Sequence, residues 1–228
     1  RKFFDKDINS IELAINNWDK AQSDINSKNR LVFLKTHSAL VKINDIPFTS
    51  KRHSLGSIYI VRDPRNIITS MSNHYQLNFD EALKFMIDEK KFLIDSNTPN
   101  NFANFTFLNS WSNHYQSWMK NREFKTFFVK YEDLESNTQE TFYKIIVFIN
   151  KLTGIKEEIN INRVNRIIES VNFEKLKMKE EKDGFPEAIV DKKKIKFFYL
   201  GKKNDWRKLL KKNQLEILNS TFRLDLDK

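Results

Sequence analysis

Four short stretches of the chain carry residue types and spacings suited to chemistry on an anion. The first is Lys35-Thr36-His37, at the end of the apolar run LVFLK. On an extended chain residues i and i+2 point to the same side, so Lys35 and His37 would face one ligand together. Histidine titrates near neutrality and suits a general base. Lysine neutralises charge that develops on a leaving group. The same spacing equally describes two polar residues leaving a strand into solvent.

The second stretch is VRDPRNIITS, from Val61 to Ser70. Arg62 ends an apolar run, and the residues after it open a helix whose free backbone N–H groups attract anions. Ser70 stands eight residues on, nearly two turns into that helix. Together they suit a phosphate, Arg62 bidentately and Ser70 through its hydroxyl. An Arg–Asp surface pair and a helix-surface serine would use the same letters. The third stretch is Tyr131-Glu132-Asp133, after FKTFFVK. Tyr131 either offers its hydroxyl to a ligand or packs at the sheet edge. Glu132 and Asp133 make a poor catalytic pair, because adjacent side chains diverge, and Asp133 suits a turn or cap. The fourth runs from Phe197 to Trp206, FFYLGKKNDW. There Gly201, Lys202 and Lys203 either wrap a phosphate or form an ordinary basic turn. His53, His74 and His114 show no metal-ligand spacing with one another or with His37 and read as structural or surface residues. No GxxxxGK[ST], HExxH or GxSxG occurs, which removes the usual sequence grounds for a P-loop ATPase, a zincin or an α/β-hydrolase.

These stretches sit at the ends of elements that the pattern of apolar residues predicts. LVFLK at 31–35, IYIVR at 58–62 and FKTFFVK at 124–130 read as strands, the first two of them buried. Asp63 suits a helix N-cap and Pro64 a first helical residue, predicting a helix over 64–76. Further helices are predicted around 11–20, 80–93, 104–119, 138–150, 160–171 and 213–222. The lysine-rich stretch 177–196 reads as a long flexible loop. Strands alternating with helices favour an α/β fold with a parallel sheet and helices on its faces. Ligands of such sheets bind at the strand C-termini. No repeat or linker divides the chain, so one domain, 1–228, is expected.

Composition agrees. The chain has 228 residues, 39% hydrophobic, with 20 Phe and four each of Gly and Pro. That suits a packed core and argues against a disordered or collagen-like chain. Cysteine is absent, which excludes disulfides, zinc-thiolate sites and a cysteine nucleophile and fits a reducing, cytoplasmic compartment. No apolar run is long enough for a membrane span. The formal charge of +10 suits an anionic partner or simply solubility.

The order and spacing of these stretches resemble the PAPS-dependent sulfotransferase family, PAPS being 3′-phosphoadenosine 5′-phosphosulfate. LKTHSA at 34–39 is similar to that family's KTH segment. YIVRDPRNIITSMSNHY at 59–75 resembles its 3′-phosphate segment, with Arg and Ser eight apart. VKYEDL at 129–134 resembles its YEDL segment, VNFEKLK at 171–177 its adenine-side segment, and FFYLGKKNDWR at 197–207 its FxRxGxxGDW segment. GFPEAI at 184–189 and WSNHYQSW at 111–118 resemble the bacterial branch. The resemblance implies a P-loop-NTPase-like three-layer fold with a central parallel sheet flanked by helices. It implies transfer of a sulfuryl group from PAPS to a hydroxyl or amine of a small-molecule or glycan acceptor, leaving PAP, without a metal. By position His37 would be the general base and Lys35 would stabilise the leaving oxygen. Arg62 and Ser70 would hold the 3′-phosphate. Tyr131 and Phe173 would line base and ribose. Gly201, Lys202 and Lys203 would close over the 3′-phosphate, with Trp206 packing that loop. The acceptor pocket would form from 40–56, 74–105 and 177–196.

Two departures stand out. The family's PKSGTTW-type loop, which binds the 5′-phosphosulfate, has no match and is expected upstream of residue 1, making this chain a C-terminal portion. Tyr199 stands where the family pattern has Arg. A binding-only or inactive homologue is the first alternative. A nucleic-acid module is disfavoured, because most aromatics fall at core-periodic positions rather than on an exposed basic stripe. A nucleotide kinase fits neither KTH nor YEDL.

Overall fold

The computed structural model describes residues 8–27, 30–94, 101–185, 187, 189–190 and 193–226. Helix α1 (Ile11–Asn16) starts where Ser10 Oγ accepts the Leu13 N–H, and α2 (Trp18–Asn26) follows. Strands β1 (Lys42–Ile43) and β2 (Ile46–Pro47) form an antiparallel hairpin. Its two turn residues, Asn44 and Asp45, take φ of 48° and 65°, the left-handed pair that such tight turns require and that Asn and Asp tolerate. Strand β3 (Gly56–Val61) leads into α3 (Pro64–Tyr75), and α4 (Phe79–Ile87) comes next. A second antiparallel hairpin pairs β4 (Phe92–Leu93) with β5 (Thr106–Phe107). Then come α5 (Trp111–Met119) and β6 (Lys125–Lys130). Helices α6 (Tyr131–Ser136), α7 (Thr138–Thr153), α8 (Ile161–Ser170) and α9 (Phe173–Asp183) run on from there. A third antiparallel hairpin joins β7 (Ile189–Val190) to β8 (Lys193–Lys194). A 3₁₀ turn at Gly201–Lys203 precedes α10 (Trp206–Leu209), α11 (Lys212–Thr221) and α12 (Arg223–Leu226).

Strands β3 and β6 pair with each other as a parallel sheet, and each runs directly into the polar stretch expected of it. Asp63 caps α3, its carboxylate accepting the Arg65 N–H at 2.9 Å, with Pro64 at the first helical position. Both features match the sequence expectation and the helix-start preferences behind it.

Five expectations need correction. IYIVR forms a strand but not a buried one, since Ile58 and Ile60 are 36% and 53% exposed. LVFLK is not a buried strand: among the described residues no strand pairs with it, and Leu31, Phe33 and Leu34 are 48%, 67% and 65% exposed. Apolar letters alone do not make a strand, which needs a neighbour to take its backbone hydrogen bonds. The stretch 177–196 is not one long loop. Asn172 caps α9 through its side chain, and the Glu, Lys, Leu and Met that follow are strong helix formers. Helix α9 therefore reaches Asp183, and β7 and β8 fill part of the remainder. Residues 186, 188 and 191–192 of that stretch lie outside the described residues, as do 95–100 of the expected acceptor loops. The helix predicted over 104–119 starts only at Trp111, because Asn109 is left-handed (φ 63°) and Ser110 is the cap. The one predicted over 80–93 stops at Ile87.

The chain divides into two compact units, Arg1–Tyr59 with Ile87–Phe127 and Ile60–Met86 with Phe128–Lys228. In the first, Ile8, Ala14 and Phe105 form a buried cluster packed by Leu13, Trp18 and Phe107. In the second, Ile68, Ala82, Met86, Val129, Leu218 and Phe222 are buried. Among the described residues no helix is long and apolar enough to cross a membrane.

Candidate functional site

All seven residues expected to bind the nucleotide fall in the second unit. Strand β3 ends at Val61, so Arg62 is the first residue beyond it, and Tyr131 stands likewise at the end of β6. The Arg62 guanidinium lies over the Tyr131 ring, 4.1 Å from its centroid, a cation–π contact that fixes the guanidinium plane. Burial, with Glu135 nearby, pushes the Tyr131 hydroxyl above its ordinary pKa, and Arg62 opposes that rise. Tyr131 thus stays a neutral donor. The Arg62 Nε–H is buried and has no hydrogen-bond partner among the described residues. Asp63 does not pair with Arg62. Its carboxylate takes Arg65 instead, at 2.6 Å from Nη2, which disposes of the Arg62–Asp63 surface pair.

Helix α3 presents Asn66, Thr69 and Ser70 at i, i+3 and i+4, one face of a helix. This face grips the C-terminal loop. Asn204, buried, donates from Nδ2 to Ser70 Oγ at 2.7 Å and to the Asn66 carbonyl at 3.1 Å. The Thr69 hydroxyl donates to Asn204 Oδ1. The Trp206 N–H donates to Asn66 Oδ1 at 3.0 Å, and the Arg65 guanidinium lies 4.2 Å over the Trp206 ring. Ser70 is therefore not a free helix-surface serine.

The same loop is held at its other end by α9. Glu180, only 6% exposed, accepts the Phe197 N–H at 2.7 Å and the Phe198 N–H at 2.9 Å, one on each carboxylate oxygen. Phe173, the first residue of α9, packs on Gly201. A Cβ at Gly201 would lie 2.8 Å from the Phe173 ring, and Gly201 has φ 53°. Glycine is thus required at this point both by backbone and by space. Phe173 also meets Phe198, ring centroids 6.0 Å apart. Lys202 and Lys203 are exposed on the 3₁₀ turn, and Tyr199 is 50% exposed.

The two residues expected to be catalytic fall in the first unit. Lys35 and His37 are exposed, and their segment is held through its backbone by one face of α5. His114 Nε2 donates to the His37 carbonyl at 3.0 Å, Trp118 Nε1 to the Ser38 carbonyl at 3.2 Å, and the Leu40 N–H donates to Ser117 Oγ at 2.9 Å. The Ala39 N–H donates to the Phe107 carbonyl at 2.8 Å. Because a carbonyl only accepts, His114 carries its proton on Nε2, and Nδ1 accepts from the Tyr59 hydroxyl at 2.7 Å. Burial holds His114 below the ordinary histidine pKa, partly offset by its bond to the His37 carbonyl, and keeps it neutral. Burial also raises Tyr59 well above the usual tyrosine range. His53 pairs with Asp19 at 2.6 Å, and His74 packs on Tyr75 and Phe197, so both have structural partners.

Sequence reasoning missed Asn66, Thr69, Asn204, Glu180 and the role of His114. The i, i+3, i+4 spacing within NIITS was a visible signal for the first two. His114 and Trp118 share a helix face within WSNHYQSW, a weaker one. Glu180 and Asn204 left none, because their partners are backbone groups or residues more than 100 positions away.

Comparison with known proteins bears on the family and the fold. A family profile described as a sulfotransferase domain matches residues 2–228. Sulfotransferase 2A1 of Macaca fascicularis is 30% identical over 173 residues, 72% of this chain and 54% of that protein. Sulfotransferase 1B1 of Canis lupus familiaris is 25% identical over 213 residues, 91% of this chain and 66% of that protein. The chain thus spans between about half and two thirds of the length of these relatives. Among solved structures, mouse sulfotransferase SULT7A1 complexed with PAP superposes with a TM-score of 0.50 at 17% identity, covering 75% of this chain and 58% of that one. That likeness concerns the fold.

Proposed function

Because the chain belongs to the sulfotransferase family, we propose that it takes part in transfer of a sulfuryl group from PAPS to a hydroxyl or amine of a small-molecule or glycan acceptor. We read residues 1–228 as a portion of one such domain, acting in the cytoplasm. The observation that carries the nucleotide half of this reading is Arg62. A buried guanidinium N–H without a hydrogen-bond partner among the described residues, fixed over Tyr131, is costly unless an anion accepts its hydrogen bond. A phosphate suits that donor, since Arg binds phosphate in a fixed, often bidentate geometry.

The residues fit PAP and PAPS as follows. Arg62 and Ser70 hold the 3′-phosphate, Lys202 and Lys203 add positive charge beside it, and Tyr131 and Phe173 line base and ribose. PAPS, when bound, supplies the sulfuryl group on a nucleotide leaving group. His37 takes the acceptor's proton at its imidazole, and Lys35 offsets negative charge on the leaving oxygen, the electrostatic help that such in-line transfers use. A second reading, a homologue that binds PAP without transfer, draws on the exposure of Tyr199, which stands in place of an anion-binding arginine.

Calorimetry with PAP tests the reading on the chain itself. Wild type should bind PAP, and Arg62→Ala should weaken binding by about 2–3 kcal/mol, the loss of a buried charge-assisted contact. Unchanged affinity removes Arg62 from the site. His37→Ala should leave PAP binding intact while abolishing transfer in the full-length protein, and undiminished turnover removes it as base.

A further inference from the structure

We propose that Asn204 is the positioning residue that turns the Ser70 hydroxyl into a committed donor for the nucleotide's 3′-phosphate; the inference rests on the nucleotide reading above. A serine hydroxyl has one proton and two lone pairs. In mid-helix that proton is ordinarily spent on the carbonyl four residues back, here Asn66. The Asn66 carbonyl is already taken: within α3 it accepts the backbone N–H four residues on, that of Ser70 itself, and from outside the helix it accepts Asn204 Nδ2 at 3.1 Å, which use both its lone pairs. Asn204 Nδ2 also donates to Ser70 Oγ at 2.7 Å, so Ser70 meets Asn204 as an acceptor and keeps its own proton.

The amide orientation follows from the partners. Turned over, Asn204 Oδ1 would face the Asn66 carbonyl, acceptor against acceptor, while its NH₂ would face a Thr69 hydroxyl. As placed, Oδ1 receives the Thr69 hydroxyl and every amide contact pairs a donor with an acceptor. Asn204 is buried, so water does not substitute for these bonds. It stands where the FxRxGxxGDW pattern has its second glycine, and a glycine has no side chain to make them. The exposed Tyr199 stands where that pattern has arginine, so this chain recovers through a polarised serine part of the anion affinity that the missing guanidinium would supply.

The test is calorimetry with PAP and with 5′-AMP, which lacks the 3′-phosphate, on wild type, Asn204→Gly, Ser70→Ala and the double variant, with circular dichroism to confirm folding. Asn204→Gly is expected to lower PAP affinity about tenfold, one charge-assisted hydrogen bond, and to leave 5′-AMP affinity unchanged. In the Ser70→Ala background the same change should add nothing. Asn204→Asp keeps the acceptor for Thr69 but loses the amide donor, so it should weaken PAP at least as much and serves if the glycine variant fails to fold. Equal losses for PAP and 5′-AMP, or additive losses in the double variant, overturn the proposal while the nucleotide reading stands. Wild type that binds PAP no better than 5′-AMP overturns both.

Discussion

The two units hold their candidate residues in opposite ways. In the second, the side chains proposed to meet the nucleotide are fixed through side chains: Arg62 on Tyr131, Ser70 on Asn204, and the loop around Gly201 between Glu180 and the α3 face. In the first, α5 grips the backbone of residues 37–40, and the Lys35 and His37 side chains project from a tethered main chain. The difference suits the work proposed for each. A fixed anion is best met by donors whose geometry is set beforehand. A base must reach an acceptor of variable shape, so it gains from a firm backbone beneath an exposed side chain.

The contrast can be broken most sharply at Glu180. Glu180→Ala leaves two backbone N–H groups without their charged acceptor, a loss of about 2–3 kcal/mol. A lower melting temperature together with weaker PAP binding is expected. If PAP binding stays at wild-type strength, the Glu180 anchor does not matter to the site. Gly201→Ala comes next. The new Cβ meets Phe173 at 2.8 Å with φ at 53°, and overpacking together with left-handed backbone costs about 2 kcal/mol. Calorimetry should show PAP weakened in step with stability.

Trp118→Phe in the first unit removes one hydrogen bond to the Ser38 carbonyl, about 1 kcal/mol. It should lower the melting temperature slightly and leave PAP affinity alone. A change in PAP affinity would mean that the division of labour between the units is wrong. The smallest effect is on pH dependence. His114 is held below its ordinary pKa of about 6.5, so the unfolded chain binds more protons in the window just under that value. Stability therefore falls as pH drops through that window and levels off once folded His114 is itself protonated. Denaturant titrations at several pH values should show this slope in wild type and lose it in His114→Gln.

How far the sequence carried differs by level. The β3–Arg62–α3 passage was legible because a short apolar run, an Asp-Pro start and an Arg–Ser spacing are all local signals. β6 leading into Tyr131 was legible for the same reason. LVFLK misled because five apolar or long side chains look like a strand whether or not another strand lies beside them. The 177–196 stretch misled because its lysines read as solvent-loving loop, although Lys and Glu also favour helix once Asn172 provides a cap.

By itself the sequence determined the family, the two strand-to-helix passages and the identity of the residues proposed to meet the nucleotide and the acceptor. Each of these rests on short local segments and on their order along the chain. Only the tertiary structure decided how those residues are held. Asn204 reaches Ser70 across 134 positions, Glu180 takes two N–H groups 17 and 18 residues on, and His114 meets the His37 carbonyl 77 residues away. Such bonds form between donors and acceptors that folding alone brings together, and two of the three involve backbone atoms that every residue carries, so no pattern of letters marks them beforehand.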